Sequence, residues 1–217
     1  MSNLFRRAAL LILVLGSTAW GSPEKWKPAI DAFVAADAVH PPKHDAVLFV
    51  GSSSIVKWKS LTTDFPFAVI NRGFGGSELA DSVAYIDQIV IPYHPRAVVL
   101  YAGDNDIAAG KSPETVLADF RSFRTKLHAA LPSTSLFYLS IKYSPSRAKF
   151  QAAMQRANEL ISADCAASPG CHFVDVNAAM LDASGQPRPE LFESDQLHMK
   201  PGTYALWTKI LTPLLKP

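Results

Sequence analysis

Five short apolar runs constrain the fold of this 217-residue chain more than any other feature. They are rich in Val, Ile, Leu and aromatic residues, which is typical of strands that are buried on both faces of a sheet. The runs are AVLFV from Ala46, FAVIN from Phe67, RAVVLYA from Arg96, SLFYLSI from Ser135 and HFVDV from His172. Segments with helical periodicity lie between these runs, so the chain alternates between strands and helices.

This alternation predicts an α/β fold, namely a three-layer α/β/α sandwich around a five-stranded parallel sheet. One helix is predicted from Pro113 to Ala130, where the preceding serine can cap its first turn. Others are predicted from about Ser146 to Ala163 and after Pro201. No repeat or linker divides residues 22–217, and a hydrophobic content of 48% can fill a sizeable core. We therefore expect a single domain.

Residues 1–21 have the pattern of a cleaved secretory leader. Two arginines precede an apolar run from Ala8 to Leu15, and small residues follow it near Ala19. This run is shorter than the roughly 20 residues that a membrane-spanning helix needs. The sequence therefore predicts a signal peptide over residues 1–21, a periplasmic or secreted mature protein, and no stable membrane anchor after cleavage.

The charge pattern and the glycine motifs argue against nucleic acids and nucleotides as ligands. The formal net charge is +2, and no run of Lys and Arg forms a basic stripe. A dinucleotide fingerprint would need Gly in place of Glu78, and a phosphate loop would need Gly in place of Val56. We therefore expect no nucleic acid partner, and a flavodoxin-like nucleotide binder is disfavoured.

The two cysteines, Cys165 and Cys171, flank a short Pro-Gly turn and form a candidate disulfide. An oxidising compartment would allow them to pair. Two free thiols, one at a helix end and one at a strand start, are the alternative interpretation. No His or acidic cluster surrounds them, so a metal site is not predicted.

Four polar motifs follow the predicted strands, where an open parallel sheet places its ligands. GSSS follows the first strand, RGFGGS the second and GDND the third, whereas DQLH lies beyond the fifth, after a long loop. Together they supply hydroxyls, backbone N–H groups, a side-chain amide, and a carboxylate with an imidazole. A serine nucleophile needs this set, because it requires a base and the base requires a group that orients it.

The spacing within these motifs indicates which residues carry each role. Asp195 and His198 are three positions apart, so on a helical turn the carboxylate and the imidazole can meet. Gly76 can offer an unobstructed backbone N–H, and Asn105 an amide donor, to an oxyanion. Taken alone, GSSS is more typical of a turn with a serine helix cap than of a nucleophile, RGFGGS and GDND are typical of ordinary turns, and DQLH is typical of a surface ion pair. The interpretation depends on all four motifs occurring together and in this order.

In the order FVGSSSI, NRGFGGS, YAGDND and DQLH, the motifs resemble those of the SGNH/GDSL hydrolase superfamily, and more closely a bacterial subgroup with GSSSI in place of GDS. The resemblance spans nearly the whole chain after the leader. It implies the flavodoxin-like SGNH-hydrolase fold and a serine esterase or lipase without a metal or an organic cofactor. Matched residue by residue, it implies Ser53 as nucleophile, Asp195 and His198 as the rest of the triad, and Ser53 N–H, Gly76 and Asn105 as oxyanion donors.

Some features depart from this pattern or receive no role from it. Ser52 stands where many relatives have Asp, and Ser54 is expected to cap the following helix. The IKYSPSR segment, with Lys142 and Arg147, also resembles the subgroup, but no catalytic step is assigned to it. The implied substrates are short acyl esters, acetylated saccharides or lysophospholipids. The alternative from another class is an exported, non-catalytic protein that binds a glycan or an anion in the same crevice.

Overall fold

The computed structural model describes residues 23–216, so the predicted signal peptide lies outside the described residues. One parallel sheet of five strands, in the order β2-β1-β3-β4-β5, forms the middle of the molecule. The strands are β1 (Val47–Gly51), β2 (Val69–Gly73), β3 (Ala97–Tyr101), β4 (Ser135–Leu139) and β5 (Cys171–Val174). The predicted three-layer sandwich with a five-stranded parallel sheet is confirmed.

Helices connect the strands and cover both faces of the sheet. They are α1 (Lys27–Val39), α2 (Ser53–Val56), α3 (Leu79–Ile89), α4 (Asp104–Ala108), α5 (Pro113–Ala130), α6 (Gln151–Ala166) and α7 (Tyr204–Leu214). Helix α5 has the predicted bounds, and the hydroxyl of Ser112 caps it by accepting from the N–H of Thr115 at 3.1 Å. Helix α6 begins later than predicted, because Pro145–Phe150 forms a 3-10 helix in which Arg147 has a non-helical backbone.

Alternating side chains of the central strands fill two separate cores. In β1, Leu48 and Val50 pack with α1, α3, α5 and α6 on one face. Val47 and Phe49 pack with α2 and α7 on the other face. Every residue of β1 and β3 is buried, as their continuous apolar sequences predict. Each fully buried aliphatic or aromatic side chain contributes about 1.5–3 kcal/mol, so the two cores stabilise the packing of the sheet between the helical layers.

The strand order places a crevice at the carboxyl end of β1. Strand β1 lies between β2 and β3, so the connections that follow β1 and β2 lead to opposite sides of it. Ligands of open α/β sheets bind at such a switch point, outside the carboxyl ends of the strands. Residues that directly follow β1, β2 and β3 therefore surround one crevice. Within the described part of the chain, no helix is both long enough and apolar enough to span a bilayer.

The two cysteines lie at the other end of the sheet. Cys165 is near the end of α6 and Cys171 begins β5, with their Sγ atoms 2.6 Å apart. Both side chains are buried, and both are free cysteines in this structure. The disulfide therefore stays a prediction.

Candidate active site

Ser53 is the first residue of α2 and lies just beyond the carboxyl end of β1. The turn between them requires a glycine at position 51. Gly51 has a φ of +139°, and a Cβ at this position would lie only 1.8 Å from the carbonyl oxygen of Tyr101. The same oxygen accepts the N–H of Ser52 at 3.0 Å. This close contact with β3 fixes the turn, and the turn leaves Ser53 partly exposed at the edge of the sheet.

The three consecutive serines have different surroundings. Ser52 is fully buried and occupies the N-cap position of α2, but its hydroxyl makes no hydrogen bond within the described residues. Ser54 is also buried and lies inside α2. The prediction that Ser54 caps this helix was wrong, because the helix begins one residue before it. Only Ser53 presents its hydroxyl to the crevice.

The imidazole of His198 connects Ser53 to Asp195. His198 Nδ1 lies 2.5 Å from Asp195 Oδ2, and His198 Nε2 lies 3.0 Å from Ser53 Oγ. An ionised carboxylate can only accept hydrogen bonds, so Nδ1 carries the proton. In the neutral imidazole, Nε2 is then the acceptor, and it faces the hydroxyl of Ser53. The structure therefore brings together three of the residues that the sequence analysis selected.

The backbone that carries Asp195 and His198 differs from the predicted helical turn. It is a loop closed by a bridge between Phe192 and Met199, with Glu193 N–H donating to the carbonyl of His198 at 2.7 Å. Gln196 adopts a left-handed backbone with a φ of +54°. The loop still brings the carboxylate and the imidazole together, but through a reversal of the chain rather than through helical spacing.

Hydrogen bonds hold the Asp195 carboxylate in its ionised form. The side chain of His198 is the largest cause of its lowered pKa, and the backbone N–H groups of His198 and Leu197 add to it. Both N–H groups donate to Asp195 Oδ1 at 2.9 Å. Each bond favours the charged carboxylate over the neutral acid. Asp195 is thus a fixed acceptor for the imidazole although its side chain is 46% exposed.

Two backbone N–H groups at the crevice have no hydrogen-bond acceptor in the described chain. One belongs to Ser53, the first residue of α2, and the first N–H groups of a helix have no intrahelical acceptor. The N–H of Gly76 likewise has no acceptor among residues 23–216. Gly76 has a φ of +81°, which favours glycine. A Cβ placed at the neighbouring Gly75 would lie 3.9 Å from the Cβ of Ser53, so this loop runs directly beside the serine.

The glycine loop is anchored at both ends. Phe74 N–H donates to the carbonyl of Gly51 at 2.9 Å, which ties the loop to the turn before Ser53. At the other end, both carboxylate oxygens of Asp106 lie 3.1 Å from the N–H of Leu79. Asp106 is fully buried, and burial raises its pKa to about 6. The loop position therefore depends on the third motif, GDND, as well as on its own glycines.

The side-chain amide of Asn105 contacts the end of the same glycine loop. Its Nδ2 donates to the carbonyl of Ser77 at 2.9 Å, and its Oδ1 accepts from Arg147 at 2.8 Å. One N–H of the amide therefore remains after the contact with Ser77. The residues proposed from sequence as oxyanion donors all lie just beyond the carboxyl ends of β1, β2 and β3: Ser53 in the first turn of α2, Gly76 in the glycine loop and Asn105 in the first turn of α4.

A buried charge cluster beside Asn105 was missed as part of the site. Asp104 Oδ2 lies 3.4 Å from Lys142 Nζ and 3.3 Å from Arg147 Nη1. Lys142 is almost fully buried, and burial lowers its pKa. The sequence carried a signal for this cluster: an acid follows the third strand and two cations follow the fourth. Without the strand order, their proximity could not be inferred.

No metal centre accompanies these residues in the described part of the chain. Among residues 23–216, no group of three or more His, Cys, Asp or Glu side chains is arranged to hold a metal ion. The arrangement contains a hydroxyl, an imidazole with a fixed acceptor, and open N–H donors. These groups can perform acyl transfer without further components.

Comparison with known proteins identifies the family. The family model described as the GDSL-like lipase/acylhydrolase family matches residues 51–206, from the turn before Ser53 to beyond His198. The chain belongs to the GDSL-like lipase/acylhydrolase family. A search of curated proteins found no match. Family membership supports hydrolase activity for this GDSL-like protein.

Solved structures share the fold of this GDSL-like protein. A Streptococcus pneumoniae protein described as a candidate platelet activating factor is 20% identical, with a TM-score of 0.77 over 89% of this chain and 94% of that chain. A GDSL-like lipase from Bacteroides thetaiotaomicron is 19% identical, with a TM-score of 0.70 over 85% and 96%. A variant of an acetyl-xylooligosaccharide esterase from Geobacillus stearothermophilus is 15% identical, with a TM-score of 0.64 over 81% and 96%. These similarities confirm the SGNH-hydrolase fold.

Proposed function

We propose that this GDSL-like protein is an exported serine hydrolase that cleaves carboxylic esters through an acyl-enzyme intermediate. The observation that carries the proposal is the 3.0 Å contact between His198 Nε2 and Ser53 Oγ, with Asp195 on the opposite ring nitrogen at 2.5 Å. A serine hydroxyl is a weak nucleophile unless a base removes its proton. Each of the three groups has the partner that this role requires.

The reaction begins at the Ser53 hydroxyl. His198 Nε2 takes the proton while Oγ forms a bond to the ester carbonyl carbon, and the carbonyl electron pair moves to its oxygen. The tetrahedral intermediate then releases the alcohol, which takes the proton from His198. Water repeats the sequence on the acyl-enzyme, with His198 as base and then as acid, and frees the carboxylic acid and Ser53. Asp195 holds the imidazole and stabilises its charged form throughout.

Three N–H donors stabilise the negative oxygen of the intermediate. They are the backbone N–H groups of Ser53 and Gly76 and the remaining N–H of the Asn105 amide. Fixed donors are effective because they need no reorganisation when charge develops. The support for this assignment is that the two backbone groups have no acceptor in the described chain and that Asn105, in the first turn of α4, contacts the carbonyl of Ser77 next to the glycine loop.

The substrate class proposed is a small-molecule, glycan or lipid ester: a short acyl ester, an acetylated saccharide or a lysophospholipid. One structural neighbour is an acetyl-xylooligosaccharide esterase, which supports the inclusion of acetylated saccharides. A non-catalytic binding protein on the same scaffold is disfavoured, since binding alone does not require a base in contact with the Ser53 hydroxyl. Export to the periplasm is proposed on the leader pattern of residues 1–21.

A panel of esters tests this function. p-Nitrophenyl acetate, acetylated xylo-oligosaccharides and a lysophospholipid are assayed with the wild type and with Ser53→Ala. The wild type should hydrolyse at least one of them, and Ser53→Ala should lose that activity while it keeps its folded circular dichroism spectrum. Unchanged hydrolysis by Ser53→Ala would reject the proposed function. Cell fractionation of the full-length chain checks export separately.

A further inference from the structure

The amide of Asn105 is held from two sides by groups of opposite hydrogen-bonding character. Arg147 carries only donors, and its Nη2 lies 2.8 Å from Asn105 Oδ1. The carbonyl oxygen of Ser77 can only accept, and it lies 2.9 Å from Asn105 Nδ2. A flipped amide would place two donors together on one side and two acceptors on the other. Both contacts therefore specify the same orientation of Asn105, with its nitrogen on the side of the glycine loop.

Arg147 is itself fixed by the acid that precedes Asn105. Its Nη1 lies 3.3 Å from Asp104 Oδ2, while Lys142 lies 3.4 Å from the same oxygen. The side chains of Asp104 and Lys142 are 4% and 1% exposed, and that of Arg147 is 16% exposed. Moving Arg147 would take a partner away from a buried charge, which is costly. The guanidinium therefore has a defined position behind the amide.

The guanidinium also changes the donor strength of the amide. A hydrogen bond from a cation to an amide oxygen draws electron density from the nitrogen, and its N–H becomes a better donor. Within the described residues, Arg147 makes no hydrogen bond or ion pair with Ser53, Asp195 or His198. Its hydrogen bond to Asn105 Oδ1 is therefore its direct contact with the groups assigned to the reaction.

We propose that Arg147 is a positioning residue for the oxyanion hole. It orients and polarises the side-chain amide of Asn105. The inference rests on the proposed function, because it requires Asn105 to be an oxyanion donor. It adds a role that the reaction scheme alone does not assign. The catalytic groups remain the triad of Ser53, His198 and Asp195 and the oxyanion donors of Ser53, Gly76 and Asn105.

A double-mutant cycle on p-nitrophenyl acetate tests the proposal. The variants are Arg147→Met, Asn105→Ala and the double variant, with Arg147→Lys as the conservative replacement. Arg124→Met is the matched control: Arg124 is 22% exposed and shares the buried Asp164 with a second cation, Arg121. This control removes an arginine of similar burial that pairs with an acid, but the pair joins α5 to α6. Thermal unfolding of each variant separates loss of rate from loss of fold.

We expect Arg147→Met to lower kcat by about 10-fold to 100-fold with KM within twofold of the wild type, as for a misplaced catalytic group. Adding Arg147→Met to Asn105→Ala should change kcat by less than twofold. Arg147→Lys should recover part of the rate, and Arg124→Met should leave it unchanged.

Two results overturn the inference: an unchanged kcat in Arg147→Met, or the same fold-loss in the presence and absence of the Asn105 side chain. If Arg147→Met does not fold, Arg147→Lys with and without Asn105→Ala provides the same comparison. The proposed function fails independently, through full activity of Ser53→Ala in the same assay. An inactive Ser53→Ala and an impaired Asn105→Ala, combined with a normal Arg147→Met, would reject the role of Arg147 alone.

Discussion

The imidazole of His198 lies 3.0 Å from the hydroxyl of Ser53, although 145 positions separate the two residues in the chain. The contact depends on two independent local structures. The Gly51 turn presents Ser53 at the end of β1, and the bridged loop between Phe192 and Met199 directs His198 back toward it. Neither structure forms the site alone, so substitutions in the Gly51 turn and in the His198 loop should have separable effects.

Asn105→Ala should lower kcat/KM for p-nitrophenyl acetate. The expected loss corresponds to about 3 kcal/mol of transition-state stabilisation, the typical contribution of one oxyanion donor. The unfolding free energy should change less, because the Asp104 and Asp106 contacts beside it remain. Steady-state kinetics and urea unfolding measure the two quantities. A near-normal rate would remove Asn105 from the oxyanion hole.

Ser54→Ala should retain most of the wild-type activity. The contact of Ser54 with the rest of the protein includes its backbone carbonyl, which accepts from the Tyr204 hydroxyl at 2.8 Å and is kept in this variant. Replacing its buried hydroxyl by hydrogen leaves Ser53 and His198 in place. Kinetics beside Ser53→Ala measure the contrast, and a loss of activity equal to that of Ser53→Ala would show that the nucleophile is wrongly assigned.

Gly51→Ala should destabilise the protein by at least about 3 kcal/mol, because the new methyl group collides with the Tyr101 carbonyl and the positive φ is strained. Gly185→Ala is the matched control. Gly185 also has a positive φ, +78°, but no atom lies within 4 Å of the added Cβ. That variant should lose only about 1 kcal/mol. Equal losses in the two variants would show that the contact with β3 does not hold the turn.

The lowered pKa of Asp195 predicts how stability responds to acid. A carboxyl group with a lower pKa in the folded state contributes stability above its unfolded pKa of about 3.9, and this contribution is lost as the pH falls through the folded pKa. The difference in unfolding free energy between the wild type and Asp195→Asn should therefore shrink as the pH falls below about 4.

Urea unfolding between about pH 3 and pH 7 measures this difference. His198→Ala removes the largest cause of the lowered pKa of Asp195. The free-energy difference that Asp195→Asn produces should therefore depend less on acid when it is measured in the His198→Ala variant. The explanation is refuted if the wild type and Asp195→Asn differ by the same free energy at every pH.

The sequence was sufficient for the parts of the structure that repeat or are local. Apolar runs predicted all five strands of the described sheet, but burial on both faces is complete only for β1 and β3, whereas β2 and β5 lie at the edges and are buried in part. The cap at Ser112 and the bounds of α5 followed from residues adjacent in the chain. The residues of the candidate site were selected by their positions after strands, and the structure brings Ser53, His198 and Asp195 together.

Non-local geometry and unusual backbone were not predictable in this way. The contact of Arg147 with Asn105 spans 42 positions and depends on β3 and β4 being neighbours, which the sequence did not determine. The loop of His198 was expected to be helical because spacing alone favours that interpretation. Gln196 has a left-handed φ that could not be predicted from its residue type, since most such positions carry glycine.

Covalent labelling of the nucleophile tests the central claim most directly. The wild type, Ser53→Ala and His198→Ala are treated with a fluorophosphonate, and the modified peptide is identified by mass spectrometry. We expect a single adduct on Ser53 in the wild type, none in Ser53→Ala, and greatly slowed labelling in His198→Ala. Labelling of another residue, or equal labelling of the wild type and Ser53→Ala, would contradict the assignment of Ser53 as the nucleophile.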